Sequence, residues 1–163
     1  MILDVGAGPR SQADYQIDIC KFEKTTHVMD AMMEIWPFGG ESFDEVRMEQ
    51  FLEHCPRSVR FIGDDAKWHT HYPLIHCMRE AFRVLKRGGI LHVSVPGDYE
   101  TLCQDPTHED LLPTEGMFNY FCGQWGGNKP GEFVNDSYGI NFAFEKIEAY
   151  HTGSIFTIRF RKP

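Results

Sequence analysis

The sequence predicts an α/β fold, and three observations carry that reading. Short apolar segments with strand character recur from the first residues onward. A stretch of helical period stands between two of them, and two extended segments joined by Thr152-Gly153-Ser154 close the chain. Strands separated by a helix and followed by a hairpin predict a mainly parallel sheet with an antiparallel strand at its C-terminal end.

The first element is Ile2-Leu3-Asp4-Val5, a buried strand that runs into the turn Gly6-Ala7-Gly8. Residues 9–14 are too few and too polar for an ordinary crossover helix. Tyr15 to Ile19 reads as the second strand, with Asp18 near its end. His27-Val28-Met29-Asp30 is a short apolar element that ends in another acid. Ser42 to Met48 reads as a third extended segment, a central strand, with Gln50 to His54 just past its carboxyl end. Residues 56–68 read as a polar insertion.

From about Tyr72, Leu74, Cys77, Met78, Ala81, Phe82 and Leu85 repeat at helical spacing. Lys86, Arg87 and Gly88-Gly89 read as the helix end, with cations in the last turn and glycine beyond it. Ile90 to Pro96 is apolar enough for a strand covered on both faces. Residues 97–110 form a loop, and Pro113-Thr114-Glu115 opens a short helix to about Phe121. Gly123 to Gly131 is a glycine-rich loop carrying Trp125. The closing segments are Ile140 to His151 and Ile155 to Phe160.

Composition sets limits on function. The chain has 163 residues and 42% hydrophobic content, which suits one folded domain over 1–163. The formal net charge of -8 argues against broad binding to a nucleic-acid backbone, which needs a basic face. The five cysteines are odd in number and include no Cys-x-x-Cys pair, so reduced thiols of a cytoplasmic protein are expected. No apolar run approaches the length that crosses a membrane.

The chemistry gathers at the strand ends. Glycine lets backbone approach a ligand closely, and ligands of open parallel sheets sit outside the carboxyl ends of the strands. A dinucleotide fingerprint needs a third glycine and an acid about 20 residues on. Here Arg10 and Ser11 occupy the third-glycine region and Asp18 comes too early. Asp18 could instead accept hydrogen bonds from both hydroxyls of a ribose, since a carboxylate has two oxygens; a solvated turn acid is the alternative. Asp30 could accept from an exocyclic amine, with backbone beside Ala31 and Met32 at the ring edge. Helix N-capping is its competing role. His54 and His108 each follow a strand and are the candidate general bases; the alternative for each is to hold loop backbone. His69-Thr70-His71 with His76 resembles a metal-ligand spacing, but on an exposed loop leading into a helix it calls for no ion, and no metal is expected. Residues 123–131 could form a lid over an acceptor or an ordinary connection.

Leu3-Asp4-Val5-Gly6-Ala7-Gly8, Ser42 to Val46, Phe51-Leu52-Glu53-His54 and Arg83 to Leu91 together resemble the class I S-adenosylmethionine-dependent methyltransferases. Ile17-Asp18-Ile19, close behind the glycine turn, and Asp105-Pro106-Thr107-His108 resemble a small branch of that family. The resemblance covers about two-thirds of the chain in the family's order. It implies a Rossmann-like three-layer sandwich, mainly parallel with a C-terminal antiparallel hairpin strand, and S-adenosylmethionine as methyl donor. By position it implies Asp4, Gly6, Ala7 and Gly8 at the methionine end. Asp18 and Ile19 fall at the ribose, Asp30, Ala31 and Met32 at the adenine, and Met48 and Glu49 near the sulfonium. It implies a small-molecule or sugar-type acceptor. A catalytically degenerate cofactor-binding or assembly protein is the alternative, and homodimerisation stays open. The sequence departs from the family at Pro9-Arg10, in the missing first crossover helix, and in having no covering segment before the first strand.

Overall fold

The structure, a computed structural model, describes residues 1–109, 114–123 and 139–163. Four strands come first: β1 (Ile2–Val5), β2 (Tyr15–Asp18), β3 (His27–Val28) and β4 (Phe43–Glu49). A hairpin of β5 (Val59–Ile62) and β6 (Trp68–His71) follows. Then come helix α1 (Pro73–Val84), β7 (Leu85–Pro96), and the short helices α2 (Tyr99–Leu102) and α3 (Glu115–Asn119). Strands β8 (Glu145–Thr152) and β9 (Ile155–Arg161) close the fold. The main sheet has the order β3-β2-β1-β4-β7-β9-β8. Strands β1, β2, β3, β4 and β7 pair in parallel, while β9 is antiparallel to β7 and β8 to β9. This is the mainly parallel sheet with a C-terminal antiparallel hairpin that the sequence predicts. Among the described residues no helix is long and apolar enough to cross a membrane.

One face of the sheet holds the core. Leu3, Val5, Val46, Met48, Leu91, Val93, Ile158 and Phe160 are fully buried, and α1 lays Cys77, Met78, Ala81 and Val84 into the same cluster. Phe118 of α3 packs on Phe156 and Phe160 from the same side. The alternate residues point the other way. Asp4, Arg47, His92, Arg159 and Glu148 stand side by side across five strands. Arg47 pairs with Glu45 at 2.6 Å and Arg159 with Glu148 at 2.8 Å. Among the described residues, helices α1 and α3 pack on the apolar face. The polar rows leave little apolar surface for a second helical layer, and the connections β1–β2, β2–β3 and β3–β4 contain no helix.

Three expectations about single elements are corrected. The polar insertion at 56–68 is the β5–β6 hairpin, where Phe61 stacks on His69 and the Arg60 guanidinium lies over Trp68. Helix α1 ends at Val84, earlier than the pattern suggests. Leu85 already pairs with Phe43 of β4. Gly88, at φ 76°, and Gly89 serve an irregular turn in the strand, held by hydrogen bonds to and from Lys162, rather than a helix cap. The last two strands are a hairpin, but β8 begins only at Glu145, because residues 140–144 turn Phe142 and Phe144 into the core. Of the loop expected at 123–131 only Gly123 lies within the described residues, and Trp125 and Pro113 lie outside them.

Candidate functional site

The strand order reverses between β2 and β4 on either side of β1, which opens a crevice at the carboxyl ends of these strands. A cavity of about 430 Å³ lies there. Gly6 lines it after β1, Asp18 and Ile19 at the end of β2, Met29 to Met32 after β3, and Gln50, Phe51 and His54 after β4. Thr107 reaches it from the loop after α2.

The glycine turn is locked to β2. Gly6 and Ala7 both donate backbone N–H bonds to the Ile17 carbonyl, at 3.0 and 3.2 Å. Gly6 has φ 70° and Gly8 φ 59°, a conformation that costs other residues energy. Gly8 donates its N–H to Asp18 Oδ2 at 2.9 Å, and Cys20 donates to Asp18 Oδ1 at 2.8 Å. Asp18 thus holds the turn from the neighbouring strand while it lines the cavity. Its oxygens keep lone pairs for further donors. Asp30 lines the cavity and caps a turn, not the helix that its competing role called for: Oδ1 accepts from Met32 N–H at 3.0 Å, and its carbonyl accepts from Met33 and Glu34. Ala31, next along, accepts the indole N–H of Trp36 at 3.0 Å.

Other expected site residues lie outside the lining. Asp4 is nearly buried on the polar sheet face, where burial raises its pKa against a hydrogen bond from Ser11, with the charge of Glu49 adding to the rise. Ala7 and Gly8 follow Gly6 along the turn. Met48 is buried in the core, and Glu49 is exposed, 3.6 Å from His92. Strand β4 continues through both, so Gln50 and Phe51 are the first residues to reach the cavity. Met29, Gln50, Phe51 and Thr107 are lining residues that pattern reading missed. Gln50 adopts φ 53°, unusual for a residue with a side chain. Phe51 packs so tightly on Gly6 that a Cβ there would meet its ring at 2.5 Å. Neither feature has a local sequence signal.

The fold brings His54 and His108 together from 54 positions apart in the chain, with ring centroids 4.8 Å apart. His54 ends a 3-10 turn, Leu52–His54. Its Nδ1 lies 3.2 Å from both the carbonyl and the hydroxyl of Thr107. His108 directs Nδ1 at the Leu102 carbonyl, 2.8 Å away. Asp105 shapes the loop between them by accepting from the Thr107 N–H and hydroxyl, bonds that hold its pKa low. Glu53 is wholly buried beside the pair, with no hydrogen-bond partner for either carboxylate oxygen. Burial pushes its pKa up to about 7, and the charge of Asp105 adds to the rise. The His69, His71 and His76 spacing makes no joint site. His69 pairs with Asp65 at 2.8 Å, and His71 and His76 meet the carbonyls of Met32 and Glu34 at 2.7 and 2.9 Å. The last two brace the turn that begins at Asp30.

No protein-family model matches the sequence, and no curated protein does. Solved structures match over nearly the whole chain. A SAM-dependent methyltransferase from Archaeoglobus fulgidus is similar with TM-score 0.59 and 13% identity, covering 99% of this chain and 85% of that one. The YcgJ protein from Bacillus subtilis gives TM-score 0.56 and 14% identity, covering 99% and 91%. The N-methyltransferase NodS from Bradyrhizobium japonicum gives 0.53 and 14%, covering 99% and 85%, and it is also known in complex with S-adenosyl-L-homocysteine. The fold is thus that of the class I methyltransferases.

Proposed function

We propose that the chain binds S-adenosylmethionine in the cavity beside Gly6 and transfers its methyl group to a small-molecule or sugar-type acceptor. The observation that carries this reading is the convergence of Gly6, Asp18, Ile19 and Asp30 to Met32 from three strand ends on one cavity at the switch point of the sheet. Similar structures support the choice of cofactor, since one is a SAM-dependent methyltransferase and another holds S-adenosyl-L-homocysteine. The residues present suit it. Asp18 faces the cavity with acceptor capacity for ribose hydroxyls. Met29, Met32 and Phe51 offer apolar surface to a purine, with the Asp30 turn at its edge.

The bound cofactor supplies an electrophilic methyl on a good leaving group. Little covalent chemistry is then left for the protein, and positioning and water exclusion carry the rate. His54, at the cavity rim, is placed to take a proton from an acceptor hydroxyl or amine. His108 stands behind it. One observation favours the alternative of a cofactor-binding protein without turnover: no helix backs the glycine turn between β1 and β2.

Calorimetry with S-adenosylmethionine and S-adenosylhomocysteine tests the reading, and heat from neither ligand would refute it. Asp18→Ala is expected to weaken binding by about 1–3 kcal/mol, the cost of stranding polar partners. Unchanged affinity in that variant would remove Asp18 from the site. Binding with no methyl transfer to any of a panel of hydroxyl and amine acceptors would favour the alternative.

A further inference from the structure

We infer that Glu53, His54 and His108 form a site for one divalent transition-metal cation at the edge of the cofactor cavity. One donor atom from each residue lies within 4.8 Å of those of the other two. Two imidazoles and a carboxylate are a donor set suited to zinc and its neighbours in the first transition row.

The second observation is independent of that clustering. Glu53 has no solvent exposure, and neither of its carboxylate oxygens meets a hydrogen-bond donor. A buried polar group without a partner costs stability, and a cation beside the imidazoles would satisfy it. The rest of the local structure suits a ligand set. Metal-bound histidines usually donate the other ring N–H to a carbonyl or carboxylate, which fixes the ring. His54 and His108 both aim Nδ1 at backbone carbonyls, those of Thr107 and Leu102. This leaves Nε2 of His54 for an ion, and Nε2 of His108, which lies 4.0 Å from Asp105 Oδ2, would turn from that carboxylate to the ion or share the ion with it. The Glu109 N–H donates to the Glu53 carbonyl at 2.9 Å and ties the two ligand-bearing segments together.

Bonds of about 2.0–2.2 Å to nitrogen and oxygen put donors about 3–4 Å apart. The cluster therefore closes by roughly an ångström on binding, within reach of the half-buried histidine rings. Three protein ligands leave a position open, as in zinc sites that bind water or substrate. His54 and Thr107 line the cavity, so that position would face it and could take an oxygen of the acceptor. This last contact rests on the methyltransferase reading, and with the ion bound His54 Nε2 would be a ligand, so the cation and not His54 would activate the acceptor; the cation site itself does not rest on that reading.

The test is calorimetric titration of chelator-treated, full-length protein with zinc, without S-adenosylmethionine. The expected result is one equivalent bound, with affinity falling at least 10-fold to 100-fold in Glu53→Gln and His108→Ala, since even outer-shell changes cost that much. His69→Ala, outside the cluster, should bind as the parent does. Zinc should also raise the melting temperature of the parent and not of the two ligand variants. That comparison holds even where a variant is less stable than the parent. No zinc binding by the parent, or a loss in His69→Ala equal to that in the ligand variants, would overturn the inference. Zinc binding without S-adenosylhomocysteine binding would leave it standing and sink the proposed cofactor; the reverse would sink the cation site alone.

Discussion

Alanine at position 6 is expected to lower unfolding free energy by about 2–5 kcal/mol and to abolish S-adenosylhomocysteine binding. Two separate costs add. A left-handed backbone costs an alanine about 1–2 kcal/mol relative to glycine, and Gly6 has φ 70°. Forcing atoms into a packed site typically costs a further 1–3 kcal/mol, roughly. An added Cβ would lie 2.5 Å from Phe51 Cδ2 and 3.0 Å from Phe51 Cβ. The second contact decides the matter, because rotating the ring leaves Cβ where it is. The Phe51 backbone must move, and Phe51 lines the cavity. Gly8→Ala is the control. Gly8 has φ 59° but open space around its missing Cβ, so only the conformational cost applies. Denaturant unfolding of the two variants separates the terms. Equal loss of stability in both would show that the Phe51 contact costs nothing.

Much of this site could be read because its signals are local. Ile2 to Val5 declares a buried strand by its apolar run, and Gly6 and Gly8 mark a turn because few other residues accept that backbone. Asp18 and Asp30 are found by their place at strand ends. What could not be read depends on neighbours distant in the chain. Glu53 reads as an ordinary acid of a polar loop, yet segments from both sides bury it completely. Gln50 takes a left-handed φ where its N–H bonds the Ser94 carbonyl of β7, a contact that no residue near Gln50 announces. The β5–β6 hairpin was hidden by its composition. Arg60, His69 and His71 break the apolar alternation, and both strands stand outside the main sheet. The polar rows of the sheet were legible in part, since Glu45, Arg47 and Glu49 crowd β4 with charge, a pattern that a strand with apolar cover on both faces would not carry.

Glu80→Gln is expected to cost about 1.5–3 kcal/mol, the usual worth of hydrogen bonds to a charged group, and to flatten the acid side of the stability profile. Glu80 is buried on α1 and accepts from the Trp36 N–H at 2.9 Å and from Arg83 Nη2 and Nε at 2.6 and 2.9 Å. Arg83 in turn donates to the carbonyls of Trp36 and Phe38. One carboxylate thereby clamps residues 36–38 to the helix. Through the Trp36 indole it also fixes the Ala31 carbonyl at the cavity wall. Burial alone would raise the pKa of Glu80, but Arg83 and the Trp36 amide outweigh it and hold the value below that of an ordinary glutamate. A lowered folded-state pKa means that the clamp contributes fully above the unfolded value and is lost as pH falls through the folded one. Arg83 is about one-third exposed, with 34% of its side-chain surface open, so solvent screens part of the pairing. Urea unfolding of parent and variant from about pH 7 down to pH 3 should show the difference in their stabilities shrinking as the carboxylate protonates. A difference that stays constant across that range would mean that charge on Glu80 does not hold the clamp. In the glutamine variant, weaker S-adenosylhomocysteine binding at neutral pH would trace the same clamp to the cavity through Trp36 and Ala31.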